Sequence, residues 1–283
     1  MKFDTLIDVA SLARHYLEPG WVVLDVRCDL MDPASGRRAY DAGHIQGAAF
    51  ADLDHDLSGP KTGSNGRHPL PEREALVQRF RDWGIGPSTQ IVAYDAQGGQ
   101  FAARLWWLAR WLGHDRVAVL DGGWPAWLEA GGSTSAERPD RLRGEFAAGA
   151  PLETLVDART VLSGLDAPDR LIVDARAPER FEGKLEPIDP VAGHIPGAVN
   201  RFWSLNLDAN GRFKPVPRLR AEFAELLGTR PASAVINQCG SGVSACHNQL
   251  AMAAAGLPGA ALYAGSWSEW VADPARPVAT GPA

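Results

Sequence analysis

The sequence predicts an α/β protein made of two tandem domains, each a parallel sheet with helices on both faces. Short apolar runs alternate with helical stretches such as residues 101–112, which is typical of strand–helix–strand units. The chain also repeats itself, because four blocks of the first half recur in the same order in the second. Residues 22–27 match 171–176, 43–48 match 193–198, 90–95 match 234–239, and 120–127 match 263–270.

The repeated blocks predict where each domain begins and ends. We expect an N-terminal domain at 1–132, a linker at 133–150 and a C-terminal domain at 151–283. A Gly-Gly-Ser-Thr-Ser run from residue 131 and a charged stretch at 137–143 mark the join, since such residues favour surface loops.

Composition excludes several classes of function. The chain has 283 residues, 45% of them hydrophobic, and a net charge of −6, so neither a nucleic-acid nor a membrane partner is expected. No apolar run approaches transmembrane length, and the polar start is unlike a signal peptide. The cysteines, Cys28, Cys239 and Cys246, form no Cys-x-x-Cys pair, so we expect no metal site. Their small, odd number suggests a reducing compartment, and a cytoplasmic location is predicted.

Cys239 occupies the most informative position in the chain. Residues 234–238 read as a buried strand and residues 245–255 as a helix, so the cysteine lies where a strand enters a helix through a glycine-rich turn. A helix N-terminus favours a thiolate, and two glycines allow several N–H groups to point at one anion. This context predicts a reactive cysteine that faces an anionic group.

Three motifs together resemble the rhodanese superfamily in its tandem two-domain form. They are Gly-His-Ile-Pro-Gly-Ala at 193–198, the Cys239 loop, and Gly-Ser-Trp-Ser-Glu-Trp at 265–270. The resemblance implies that Cys239 accepts a sulfane sulfur from a small-molecule donor as a persulfide. A thiol, a thioredoxin-like protein or cyanide would then accept the sulfur, without any cofactor. Asp95 stands at the cysteine position of the first domain, which is therefore expected to be catalytically silent.

The loop also carries an expectation about the sulfur donor. Its Cys-Gly-Ser-Gly-Val-Ser sequence is similar to mercaptopyruvate sulfurtransferases, whereas thiosulfate sulfurtransferases commonly have cationic residues there. Thiosulfate is a dianion that gains from lysine and arginine, and a neutral loop suits a monoanionic keto acid better. The resemblance implies 3-mercaptopyruvate as donor, with thiosulfate as the alternative, and substrate-binding roles for Gly240, Gly242, Val243 and Ser244.

The resemblance further implies a proton relay beside the cysteine. The positions that match the family's serine, histidine and aspartate are Ser241, His68 and Asp54. A positioned acid or base would relay a proton when sulfur leaves carbon and the resulting enolate is protonated.

Arg180 matches the family's substrate-binding arginine, whose planar fork suits a carboxylate or thiosulfonate. A second arginine, found in mercaptopyruvate enzymes shortly before the Gly-His-Ile motif, is absent, and Ile188 stands at its place. Arg201 or Lys184 are candidates to replace it.

Other interpretations fit the residues less well. A dual-specificity phosphatase needs an arginine six positions after its cysteine, where this chain has Ala245. A serine hydrolase needs Gly-x-Ser-x-Gly, which the residues around Ser241 do not match. The intact cysteine loop argues against a purely binding module. His44 and His194 each lie in a glycine turn, so we expect them to bond backbone groups and not a ligand.

Overall fold

The computed structural model describes residues 2–282, which form two compact units. The first unit holds residues up to Gly59, Pro71–Leu152 and Leu207–Phe213, and the second holds Pro60–Leu70, Glu153–Asn206 and residues from Lys214 onward. The predicted domain limits stay a prediction. These units divide the chain along different lines, because Pro60–Leu70 joins the second unit and the predicted linker joins the first.

The first unit is built on five parallel strands: β1 (Leu6–Ile7), β2 (Trp21–Asp25), β4 (Ala49–Phe50), β5 (Gln90–Tyr94) and β6 (Val117–Leu120). Their order across the sheet is β1-β6-β5-β2-β4. Two further strands, β3 (His44–Ile45) and β7 (Thr134–Ser135), pair antiparallel. The helices are α1 (Val9–His15), α2 (Ser35–Ala42), α3 (Arg73–Asp82), α4 (Ala102–Trp111) and α5 (Gly123–Glu129).

The second unit repeats this plan. Its parallel strands are β8 (Thr154–Val156), β9 (Leu171–Asp174), β10 (Val199–Asn200), β11 (Val235–Gln238) and β12 (Ala261–Tyr263), in the order β10-β9-β11-β12-β8. Its helices are α6 (Ala158–Ser163), α7 (Pro178–Phe181), α8 (Val216–Leu227), α9 (Ser244–Ala254) and α10 (Ser266–Trp270). Because equivalent strands take equivalent places, the predicted duplication and the α/β fold are confirmed.

Burial explains why these runs form parallel strands. Every residue of β5 and of β11 is buried, as expected for central strands covered by helices on both sides. Large aromatic side chains fill the remaining space, with Trp127 in the first core and Trp267 and Trp270 in the second. Aspartates cap the first helix of each unit, since Asp8 accepts from Ser11 N–H and Asp157 from Thr160 N–H, each at 2.8 Å. Across residues 2–282, no helix combines the length and the apolar character needed to span a bilayer.

One buried ion pair recurs in both units at the carboxyl end of a sheet strand. In the second unit, Arg176 Nη2 lies 2.7 Å from Asp174 Oδ2 and also donates to the carbonyl of Gly193 at 2.7 Å. Its guanidinium stacks over Trp267 at 4.7 Å from the ring centroid. In the first unit, the equivalent groups are Asp25, Arg27, the Gly43 carbonyl and Trp124.

Replacement of Arg176 by alanine should lower the free energy of unfolding by about 3–5 kcal/mol, because Asp174 would stay buried without its counter-charge. Urea denaturation followed by tryptophan fluorescence would measure the loss. The control is Lys2→Ala, which breaks a pair whose side chains are 40% and 55% exposed and should cost less than ~1 kcal/mol. Equal losses for the two variants would contradict a structural role for the buried pair.

Candidate active site

Cys239 follows β11 directly, and its loop ends where α9 begins at Ser244. The cysteine is buried, with 2% of its surface exposed. The N–H of Gly242 donates to Cys239 Sγ at 3.1 Å. The thiol therefore lies in the loop between the end of β11 and the start of α9, as predicted.

The backbone of the loop is held from behind by α10 and α9. The Cys239 and Gly240 carbonyls accept from the N–H groups of Trp267 and Ser268, at 2.9 and 3.0 Å. The thiol of Cys246, in the first turn of α9, donates to the Gly242 carbonyl at 3.2 Å. These bonds fix the backbone of the loop at three of its carbonyls.

The equivalent loop of the first unit shows what this backbone binds. Asp95 takes the place of the cysteine and is fully buried. Its carboxylate accepts four backbone N–H groups, those of Gln97, Gly99, Phe101 and Ala102, at 2.7 to 3.0 Å. Burial raises the pKa of Asp95, and the four bonds oppose that effect. The turn is thus an anion-binding nest in which a carboxylate of the chain itself is the anion.

His68 and Ser241 form a hydrogen-bonded pair, with 2.7 Å between His68 Nδ1 and Ser241 Oγ. Both side chains are buried. His68 is brought there by Pro60–Leu70, which packs within the second unit and is fixed by a bond from Arg67 N–H to Ser268 Oγ at 3.1 Å. The structure therefore brings together two of the three predicted relay residues. Asp54 lies in the first unit, where its N–H donates to Asp52 Oδ1, and its part in the relay stays a prediction.

Two guanidinium groups lie against Gly240. A Cβ atom built on that glycine would stand 2.7 Å from Arg67 Nη2 and 3.5 Å from Arg180 Nη1. Arg180 was predicted as an anion-binding residue. Arg67 was missed, although it directly precedes His68 in the sequence. Arg67 and Ile188 line the same cavity of about 320 Å³. The guanidinium of Arg67 therefore lies in the cavity that also holds Ile188, the position at which the second arginine is missing.

The two candidates to replace that arginine are held by ion pairs of their own. Arg201 bonds Asn206 Oδ1 and Glu222, at 2.9 and 3.0 Å. Lys184 is mostly exposed and pairs with Glu182. A compensating role for either residue stays a prediction.

Two carboxylates that sequence reasoning also missed hold the arginines in place. Glu186 Oε1 lies 2.7 Å from Arg180 Nη2, and Asp189 bonds both Arg180, at 3.0 Å, and Arg67. Burial opposes ionisation of Glu186, but bonds from Arg180 and from two backbone N–H groups hold its pKa below the usual range. Burial raises the pKa of Asp189, against the opposing effect of Arg67. Their short separation from Arg180 in sequence is the one signal that could have identified them.

The histidines of the two repeated Gly-His-Ile turns bond backbone groups, as predicted. His44 Nδ1 bonds the Tyr40 carbonyl and His194 Nδ1 bonds the Phe181 carbonyl, both at 2.8 Å. The imidazole of His44 also stacks on the ring of Tyr40, and that of His194 stacks on the ring of Phe181. Among residues 2–282, no cluster of three or more histidine, cysteine or acidic side chains is arranged to hold a metal ion.

The arrangement as a whole combines a buried cysteine, a hydrogen-bonded serine–histidine pair and two guanidiniums beside the cysteine loop. A family model for the rhodanese-like domain matches residues 8–130 and 153–273. The chain is 48% identical over 283 residues to a probable 3-mercaptopyruvate sulfurtransferase of Pseudomonas aeruginosa, covering 99% of this chain and 100% of that one. A thiosulfate sulfurtransferase of the same organism is 34% identical over 256 residues, covering 88% and 90%.

A solved structure supports the same relationship. The 3-mercaptopyruvate sulfurtransferase from Leishmania major superposes with a TM-score of 0.83 at 27% identity, over 94% of this chain and 74% of that one. The chain belongs to the rhodanese family, with two tandem rhodanese-like domains. It is an enzyme of the sulfurtransferase class.

The two loop glycines should respond differently to a methyl group. A Cβ on Gly242 would lie 2.2 Å from the Ala264 carbonyl oxygen, and its φ of +76° disfavours other residues. Gly242→Ala should therefore lower the melting temperature by roughly 5–10 °C. Gly240→Ala should change it little, because the atom nearest to the added Cβ is the end of the Arg67 side chain and not backbone. Thermal denaturation monitored by circular dichroism would distinguish the two, and similar shifts would contradict the described loop packing.

Proposed function

We propose that the protein moves a sulfane sulfur from 3-mercaptopyruvate to a thiophilic acceptor through a persulfide on Cys239. The observation that carries the proposal is the 2.7 Å bond between His68 and Ser241, the residue two positions after the cysteine. Mercaptopyruvate releases an enolate that needs a proton, whereas thiosulfate releases sulfite and needs none. A buried acid–base pair therefore assists the reaction with mercaptopyruvate and is not needed for the reaction with thiosulfate.

The proposed first half-reaction follows from these groups. Arg67 and Arg180 bind the donor's carboxylate, and the Cys239 thiolate attacks the donor's sulfur. The carbon–sulfur bond breaks, the bonding electrons leave with carbon, and Cys239 keeps the sulfur as a persulfide. Ser241, backed by His68, protonates the enolate carbon to give pyruvate. Asp54 is proposed to orient His68, as the family resemblance implies, while Gly240, Gly242, Val243 and Ser244 surround the transferred sulfur.

In the second half-reaction, an acceptor thiolate attacks the outer sulfur and leaves as a persulfide, which restores the Cys239 thiolate. Cyanide would leave as thiocyanate by the same attack. A low-molecular-weight thiol or a thioredoxin-like protein is the proposed acceptor, in keeping with the proposed cytoplasmic location. The choice of donor is supported by the 48% identity to the probable 3-mercaptopyruvate sulfurtransferase of Pseudomonas aeruginosa, against 40% and 34% for two relatives named as putative or established thiosulfate sulfurtransferases.

The environments of the other cysteines support Cys239 as the carrier. Burial, with the nearby carboxylates of Asp52 and Asp54, raises the pKa of Cys28 to about 12, so its thiol stays protonated near neutral pH. Cys246 uses its S–H to bond the Gly242 carbonyl. At Cys239, by contrast, the backbone N–H of Gly242 is directed at the sulfur.

Intact-mass analysis after treatment with 3-mercaptopyruvate should show one added sulfur atom, and Cys239→Ser should abolish both the added mass and turnover. Peptide mapping would place the sulfur. Cys28→Ser is the matched control and should accept the sulfur like the wild type. Recovery of the added sulfur on Cys28 or Cys246 would refute the assignment.

His68→Ala should reduce kcat/KM with 3-mercaptopyruvate by about 10²–10⁴-fold, the usual contribution of a positioned acid or base, and affect thiosulfate turnover far less. His15→Ala replaces a histidine of the first unit and should leave both activities intact. Steady-state kinetics with both donors would decide the matter. If His68→Ala weakens both donors equally, or the wild type prefers thiosulfate, the enzyme is a thiosulfate sulfurtransferase.

A further inference from the structure

Asp189 is placed between the two guanidiniums that face the cysteine loop. One of its carboxylate oxygens bonds Arg67 Nη1, and the other lies 3.0 Å from Arg180 Nη2. Its side chain is 3% exposed, so water screens its charge poorly. Both arginines in turn lie against Gly240, the residue after Cys239. A negative charge is thus fixed behind the groups that would bind an anionic donor.

The two arginines at the loop belong to a connected set of ion pairs. Glu186 bonds Arg180 and lies 3.4 Å from Arg176, which pairs with Asp174. The ion pairs of this set join Arg67, Arg176 and Arg180 to Asp174, Glu186 and Asp189. Carboxylates that bond the two loop arginines directly therefore offset their positive charge.

We propose that Asp189 is a specificity-determining residue, whose carboxylate selects sulfur donors of single negative charge over dianions. This inference rests on the proposed function, in which Arg67 and Arg180 bind the donor. A dianion beside the arginines is repelled by Asp189 about twice as strongly as a monoanion. The donor and Asp189 lie on opposite sides of an arginine, so at a separation of about 10 Å and an effective dielectric constant of ~20 the extra charge lowers relative affinity on the order of tenfold.

The test compares two donors that differ in charge but react by the same chemistry. Thiosulfate, a dianion, gives its outer sulfur to the cysteine and releases sulfite. Methanethiosulfonate, a monoanion, gives its outer sulfur and releases methanesulfinate. Neither reaction requires protonation of carbon, so the ratio of their kcat/KM values reports donor charge separately from the proton relay. A ratio measured on one preparation is also independent of the fraction of folded enzyme.

Asp189→Asn should raise the kcat/KM ratio of thiosulfate to methanethiosulfonate by about tenfold, mainly through a lower KM for thiosulfate. Asp189→Glu keeps the charge and should keep the wild-type ratio. Asp273→Asn makes the same change of net charge at a carboxylate 49% exposed, paired with Arg276, and should also keep the ratio.

An unchanged kcat/KM ratio in Asp189→Asn would overturn the inference. So would a failure of both thiosulfate and methanethiosulfonate to react with the wild type and with the variant. So would an equal change in Asp189→Glu, because geometry and not charge would then be responsible. Turnover of 3-mercaptopyruvate by the wild type is measured in parallel. Its absence would refute the proposed function alone, since the charge ratio is obtained without that donor.

Discussion

The buried pair of Asp174 and Arg176 is the interaction on which the second unit depends. Asp174 ends β9 and is the register partner of Gln238, the residue before Cys239. Arg176 reaches from that strand to the Gly193 carbonyl and the face of Trp267. Strand, glycine turn and α10 are therefore joined by one guanidinium, and α10 in turn holds the carbonyls of the cysteine loop. Because a buried charge without its partner is costly, these parts are constrained to assemble together.

The same pair is the inner end of the charged cluster that reaches the active site. Arg176 contacts Glu186, Glu186 contacts Arg180, and Asp189 joins Arg180 to Arg67. Long cationic side chains lose much rotamer freedom when they are fixed, and each additional carboxylate partner limits the orientations that remain. The two guanidiniums proposed to bind the donor are therefore held in their orientation by the fold itself.

Local signals predicted the elements that local chemistry determines. The strand expected at 234–238 is found at Val235–Gln238, and the helix expected at 245–255 is found at Ser244–Ala254. Arg67 and Asp189 were not predicted, because they lie 122 positions apart and meet only when Pro60–Leu70 packs in the second unit. No periodicity or composition marks that packing. His68 was located by family resemblance alone, for the same reason.

The two halves differ in what their equivalent loops hold. In the first unit, two carboxylate oxygens of Asp95 accept four backbone N–H groups, so the chain itself supplies the anion of that nest. In the second unit, a single sulfur atom takes that place and accepts the N–H of Gly242. An aspartate-to-cysteine difference at one position therefore separates a loop whose anion is part of the chain from the loop on which the proposed sulfur transfer takes place.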